Sequence, residues 1–153
     1  MSPMTDELTL RKSVVVECPV EHAFRVFTER TGDWWPFGGH SIFAEPGTQV
    51  VFEGRAGGRV YELSPSGEEG PWGTLTAWDP PHGFAMTWHP GRGEETAQEL
   101  AVRFSPEGEA TRVDLAHAGW EQLGDRMAEA QASYVEGWDF VLGRFAEAAR
   151  KED

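Results

Sequence analysis

Residues 97–118 read Ala-Gln-Glu-Leu-Ala-Val-Arg-Phe-Ser-Pro-Glu-Gly-Glu-Ala-Thr-Arg-Val-Asp-Leu-Ala-His-Ala. Leu100, Val102 and Phe104 fall on one face of an extended chain, and Val113, Leu115 and His117 repeat the pattern. Glu99, Arg103, Arg112 and Asp114 point the other way. A period of two with Pro106-Glu107-Gly108 between the runs predicts two antiparallel strands, near 97–105 and 110–118, with one covered and one wet face.

The same grammar extends upstream. Short apolar runs near 41–45, 48–54, 58–64, 71–79 and 83–89 are separated by Glu45-Pro46-Gly47, Gly57-Gly58, Pro65-Ser66-Gly67, Asp79-Pro80-Pro81-His82-Gly83 and Pro90-Gly91-Arg92-Gly93. Runs this short, joined by turns, predict an antiparallel meander rather than a parallel sheet. Phe84, Met86 and Trp88 share its covered face.

Downstream the period changes. Tyr134, Trp138, Val141, Leu142, Phe145 and Ala149 recur at three and four, which predicts an amphipathic helix of four turns or more. Glu136, Asp139, Arg144, Glu147 and Arg150 form its wet side. Toward the N-terminus, residues 1–7 are polar and loose, and the β-branched run Ser13–Glu17 reads as a strand. Cys18-Pro19-Val20-Glu21 reads as a helix start, with Pro19 at the first helical position. Ala23, Phe24, Val26 and Phe27 supply the apolar stripe, and Gly32 ends it. A second turn carries Asp33-Trp34-Trp35 up to Pro36. The order is one strand, two short helices, six or seven strands, then a long helix. It predicts a single α+β domain over 1–153.

Thirteen Lys and Arg stand against twenty-six Asp and Glu among 153 residues, a formal charge of −13. Nucleic acid and anionic membrane are poor partners for such a chain, because phosphate contacts need clustered cations. The single cysteine, Cys18, cannot close an internal disulfide, which fits a reducing, cytoplasmic setting. No apolar run is long enough for a transmembrane helix or a signal peptide. Nothing in the sequence settles whether the chain forms a homodimer.

Several of these motifs follow the order of a known family. Val16 through Thr28 resembles the opening strand and helix of START-like (SRPBCC) proteins, in the branch named after the activator of heat-shock-protein-90 ATPase. Trp34-Trp35-Pro36, Gly57-Gly58-Arg59 with Glu62, Gly73, Asp79-Pro80-Pro81, Thr87-Trp88, Thr111-Arg112-Val113, His117-Ala118-Gly119-Trp120, and Gly137-Trp138 with Val141-Leu142 are similar to that branch in order and approximate spacing. The resemblance covers about residues 10–150. It implies a helix-grip fold, a curved antiparallel sheet wrapped around the C-terminal helix with a cavity between them. The co-chaperone itself carries a separate N-terminal domain that does much of its chaperone binding, and 153 residues are too few to hold both.

Such a cavity must be filled by side chains or by a ligand. The candidate lining is Trp34, Trp35, Phe43, Phe52, Tyr61, Trp78, Phe84, Met86, Trp88, Phe104, His117, Tyr134 and Trp138, with Trp72 and Phe37 as further candidates. Binding of a small hydrophobic or aromatic molecule, without a cofactor, is the leading expectation. One alternative is a cyclase or aromatase acting on a bound ligand, with His117, Glu62 and Tyr134 as its polar groups. Another is a protein-interaction module of the co-chaperone type, its interior filled. Glu62 shares parity with Val60, so it either faces the interior, with Arg59, Arg103 or His117 as partner, or is an exposed strand glutamate. The five histidines, His22, His40, His82, His89 and His117, show no metal-ligand spacing, and no metal is expected. Cys18 reads as a small core or capping residue, and no nucleophile elbow or phosphate loop is present.

Overall fold

The 97–118 hairpin lies within the sheet, one strand in from an edge. In the computed structural model, which describes residues 9–35, 47–89, 97–120 and 127–150, Gln98–Glu107 (β6) pairs antiparallel with Ala110–Ala118 (β7) from Glu99↔Ala118 to Glu107↔Ala110. The remaining strands are Leu10–Val16 (β1), Gln49–Phe52 (β2), Arg59–Leu63 (β3), Glu69–Asp79 (β4) and Gly83–Trp88 (β5). All seven form one sheet in the order β1-β7-β6-β5-β4-β3-β2, every pair antiparallel. The strands agree with the runs anticipated above to within a few residues. The run at 41–45 lies outside the described residues.

Three helices accompany the sheet: Val20–Glu29 (α1), Thr31–Trp34 (α2) and Met127–Arg150 (α3). Pro19 stands one position earlier than expected, as the N-cap of α1, with Val20 the first helical residue. Its φ of −67° already suits the helix. Trp138, Val141, Leu142, Phe145 and Ala149 of α3 are buried, and Glu136, Asp139, Arg144, Glu147 and Arg150 are exposed, as the spacing requires. This is the helix-grip fold: a curled antiparallel half-barrel closed by its C-terminal helix.

The curl has a local cause. Between Val60/Tyr61 and the facing β4, the register shifts by one, leaving Trp72 without a Cα partner on β3. A second shift lies between Leu75 and Ala77, opposite β5. Bulges bend a strand and increase its twist, so β4 turns the sheet around α3. Gly73 sits beside the first bulge, where a Cβ atom would lie 1.8 Å from the carbonyl oxygen of Thr87. Only a residue without a side chain admits that approach.

The helices are tied to the sheet by rings. Phe27 of α1 lies 5.0 Å from Phe145, 5.7 Å from Phe84 and 5.7 Å from Phe104, centroid to centroid. Trp34 packs at 5.3 Å from Phe145, and its indole N–H donates to the Val26 carbonyl at 2.9 Å. Arg144 Nε of α3 donates to the Trp34 carbonyl at 2.6 Å, which closes the end of α2.

Gly73→Ala is expected to destabilise the protein by about 1–3 kcal/mol or more, through backbone displacement at the β4–β5 contact. A urea-unfolding comparison tests this; an unchanged midpoint would refute the assigned close approach.

Candidate functional site

The register brings one end of the interior together. Trp88 pairs with Gln98 and Leu100 with His117, so the end of β5, the start of β6 and the end of β7 meet. The backbone N–H of His89 donates to the Trp72 carbonyl at 2.7 Å, adding β4 to the same end. Tyr134 and Trp138 reach it from α3, and Trp35 from the chain just past α2.

Four indoles form its apolar part. Trp35 lies 4.6 Å from Trp72, 6.2 Å from Trp138 and 6.5 Å from Trp88. Trp88 is 5.2 Å from Trp72 and 5.3 Å from Trp138. The rings are tilted or edge-to-face, the arrangement that aromatic quadrupoles favour.

Glu62, Tyr134 and His117 are each held here by an aromatic or amide partner. Glu62 is fully buried, and its Oε2 accepts the Trp72 indole N–H at 2.7 Å. Inward parity is therefore the right reading of Glu62, and an indole rather than Arg59, Arg103 or His117 is its partner in this contact. The bulge explains why the sequence could not show this. It is the unpaired β4 residue, Trp72, that swings over Glu62. Trp88 Nε1 donates to the Tyr134 hydroxyl at 3.0 Å.

His117 is fully buried and has both ring nitrogens engaged. Trp138 Nε1 lies 3.0 Å from Nδ1, and Gln98 Oε1 lies 2.9 Å from Nε2. An indole N–H can only donate, so Nδ1 is the acceptor, the proton sits on Nε2, and Nε2–H donates to Gln98. Trp120 stacks on the imidazole at 4.0 Å and donates to the His117 carbonyl at 2.8 Å. Burial pushes the imidazole pKa down to about 3, so the ring is neutral at pH 7.

The other candidates lie elsewhere. Phe52, Trp78, Phe84 and Phe104 join Phe24 and Phe27 toward the opposite end of the interior, with Phe24 5.2 Å from Trp78 and 5.3 Å from Phe104. Met86 and Trp34 are buried in the core. Tyr61 is on the outer face, its ring under the Arg59 guanidinium at 4.5 Å, because it alternates with buried Val60 and Glu62. Phe43 lies outside the described residues. Gln98 was missed, although it shares the parity of Leu100, Val102 and Phe104; an inward-pointing amide is that parity's signal. Burial pushes the Cys18 thiol pKa up, as suits a core residue. A cleft of 870 Å³ between residues 17–21 and 106–110 is walled by Glu17, Glu21, Glu107 and Glu109 and carries no aromatic ring. Among the described residues no group of three or more His, Cys, Asp or Glu is placed to hold a metal, and no helix is long and apolar enough to cross a membrane.

The depressed His117 pKa predicts a stability profile. The unfolded chain binds a proton near pH 6.5 and the folded chain only near pH 3. The neutral imidazole's contribution is complete above pH 6.5 and is lost as the pH falls toward 3, at up to about 1.4 kcal/mol per pH unit. His117→Gln should lack this component, so its unfolding free energy should fall less steeply than wild type between pH 7 and pH 4. Urea melts across that range test it, and parallel profiles would rule it out.

Comparison with known proteins agrees with the fold. No curated protein matches the chain. Among solved structures it is similar to an anthrahydroquino-γ-pyrone synthase, Txn09, solved as a complex, with 37% identity over 92% of this chain and 96% of that one (TM-score 0.62). It is also similar to CalC, a self-sacrificing resistance protein from Micromonospora echinospora, with 26% identity over 92% and 93% (TM-score 0.66). The protein MLL2253 from Mesorhizobium loti shares the fold, at 14% identity over 95% and 98% (TM-score 0.71). The family model described as Activator of Hsp90 ATPase homolog 1-like protein matches residues 17–150, and the chain belongs to that family.

Proposed function

We propose that this protein binds a small polycyclic aromatic molecule at the indole-rich end of its interior. The observation that carries the reading is the convergence there of Trp35, Trp72, Trp88 and Trp138 with the hydrogen-bonding groups of Glu62, Gln98, His117 and Tyr134. Apolar walls with a few oriented polar atoms are the composition of small-molecule sites. A planar ligand would extend the ring contacts of Trp35, Trp72 and Trp88, while a ligand hydroxyl or carbonyl would be oriented by Tyr134 or Glu62. The similarity to an anthrahydroquino-γ-pyrone synthase supports the ligand class.

The same relationship favours a second reading, closure of an oxygen ring on the bound molecule. In such a step a phenol oxygen adds to a ketone carbon, the C–O bond forms, and water leaves, with no change of oxidation state. His117 contributes here as a fixed neutral group, because its Nδ1 lone pair is occupied by the Trp138 N–H. Orientation of the two reacting groups and exclusion of water would supply the rate. Proton transfer would then fall to Tyr134 or Glu62.

Titration with 1,8-dihydroxyanthraquinone tests binding through quenching of tryptophan fluorescence. Saturable quenching at micromolar probe is expected, with about tenfold weaker affinity in Trp88→Phe, which loses the N–H that holds Tyr134. Absence of quenching and of any thermal shift would overturn the binding reading. For ring closure, conversion of 1-(2-hydroxyphenyl)butane-1,3-dione to 2-methylchromone should exceed the buffer rate and fall at least tenfold in Tyr134→Phe with Glu62→Gln. A rate equal to buffer would leave binding alone.

A further inference from the structure

Across the outer face of the sheet, Ala77 pairs with Ala85, Ala85 with Ala101, and Ala101 with Ala116. Outward positions of an antiparallel sheet are normally polar, and alanine is a poor strand former. Four of them stand in one row across β4, β5, β6 and β7, Ala77 and Ala101 exposed and Ala85 and Ala116 half-buried, and they add little burial and no strand propensity. They form the floor of a groove of 620 Å³. Arg11 and Arg103 stand on its rim, and neither makes an ion pair or hydrogen bond among the described residues. Arg112, also on the rim, is already engaged by Asp114 at 2.9 Å. Acidic residues outnumber basic ones twofold in this chain, yet the groove is lined by Arg11, Lys12, Arg103 and Arg112 against only Asp79 and Asp114, a local reversal of charge.

We propose that this groove docks an acidic amphipathic helix of a partner protein. β4 to β7 are inner strands with both backbone edges paired, so an added strand has no place on them. A helix is the element that packs on a sheet face, and short alanine side chains let its axis approach. The row spans about 14 Å at ~4.8 Å per strand, the length of roughly ten helical residues. Charge selects the sign: carboxylates flanking the helix's apolar stripe meet Arg11 and Arg103. At physiological salt the Debye length is about 8 Å, so the distant acidic surface is screened while contact pairs in the groove are not.

The proposal concerns a face remote from the indole-rich interior and stands independently of the ligand reading. Its probe is a fluorescein-labelled 18-residue synthetic helix with an alanine stripe flanked by glutamates, read by anisotropy and by 15N-edited NMR. The wild-type protein should bind it, with shifts centred on outward-facing residues of β4–β7. Binding should weaken at least tenfold between 150 and 500 mM NaCl, in Arg11→Glu/Arg103→Glu, and in Ala101→Gln, all surface changes. The same helix with lysine in place of glutamate should not bind. No binding by wild type, equal affinity in the variants, or shifts confined to other surfaces would overturn it. So would self-association of the wild-type protein that the double variant abolishes, since the groove would then accommodate a second copy.

Discussion

The Trp138–His117–Gln98 relay is the contact on which the arrangement of this molecule turns. Trp138 comes from α3, His117 from the end of β7 and Gln98 from the start of β6. One indole N–H thereby joins the long helix to two strands, beside the packing of Val141, Leu142, Phe145 and Ala149. A buried imidazole is tolerated only when both nitrogens are satisfied. The relay satisfies them with neutral partners and so avoids placing a charge in the interior. Stacking of Trp120 on the same ring extends the anchor to the chain just beyond β7.

The bulge at Trp72 does corresponding work on the other half of the sheet. It bends β4 and turns a large ring inward. It also supplies the donor that makes buried Glu62 acceptable. Gly73 is the steric condition for that geometry, because β5 passes where its side chain would be. Curvature, ring placement and carboxylate burial are thus one event rather than three. The two halves meet through Trp72 and Trp88, and both of their indole N–H groups go to a polar oxygen, Glu62 on one side and Tyr134 on the other.

Much of this was legible in the chain, and the reasons are periodic. Leu100, Val102 and Phe104 beside Val113, Leu115 and His117 give parity directly, and parity placed His117 inside. Glu62 shares parity with Val60, which left inward and exposed readings open until its burial decided between them; its partner comes from β4, where the register shift that leaves Trp72 unpaired against β3 has no signature in a local period. Tyr61 shows the opposite failure. It is an aromatic residue in a strand, yet parity with exposed Arg59 carries it outward. Gln98 has the parity of Leu100, Val102 and Phe104, but its role depends on the pairing of β6 with β7 that brings its amide to His117.

Sequence alone determined the element order, the covered faces of β5, β6 and β7 and the helix stripe, since these depend on periods of two and of about 3.6 within local stretches. It also determined the family, through an ordered series of short motifs. Tertiary structure decided the division of the tryptophans into a closed indole cluster at one end, with Trp78 among the phenylalanines of the other. It decided the hydrogen-bond partner of Glu62, the tautomer of His117 and the in-register row of outward alanines. These depend on bulges and on pairing between strands as far apart in the chain as Leu10 and His117. No local pattern encodes how two such segments align; the packed sheet and the helix it grips fix that together.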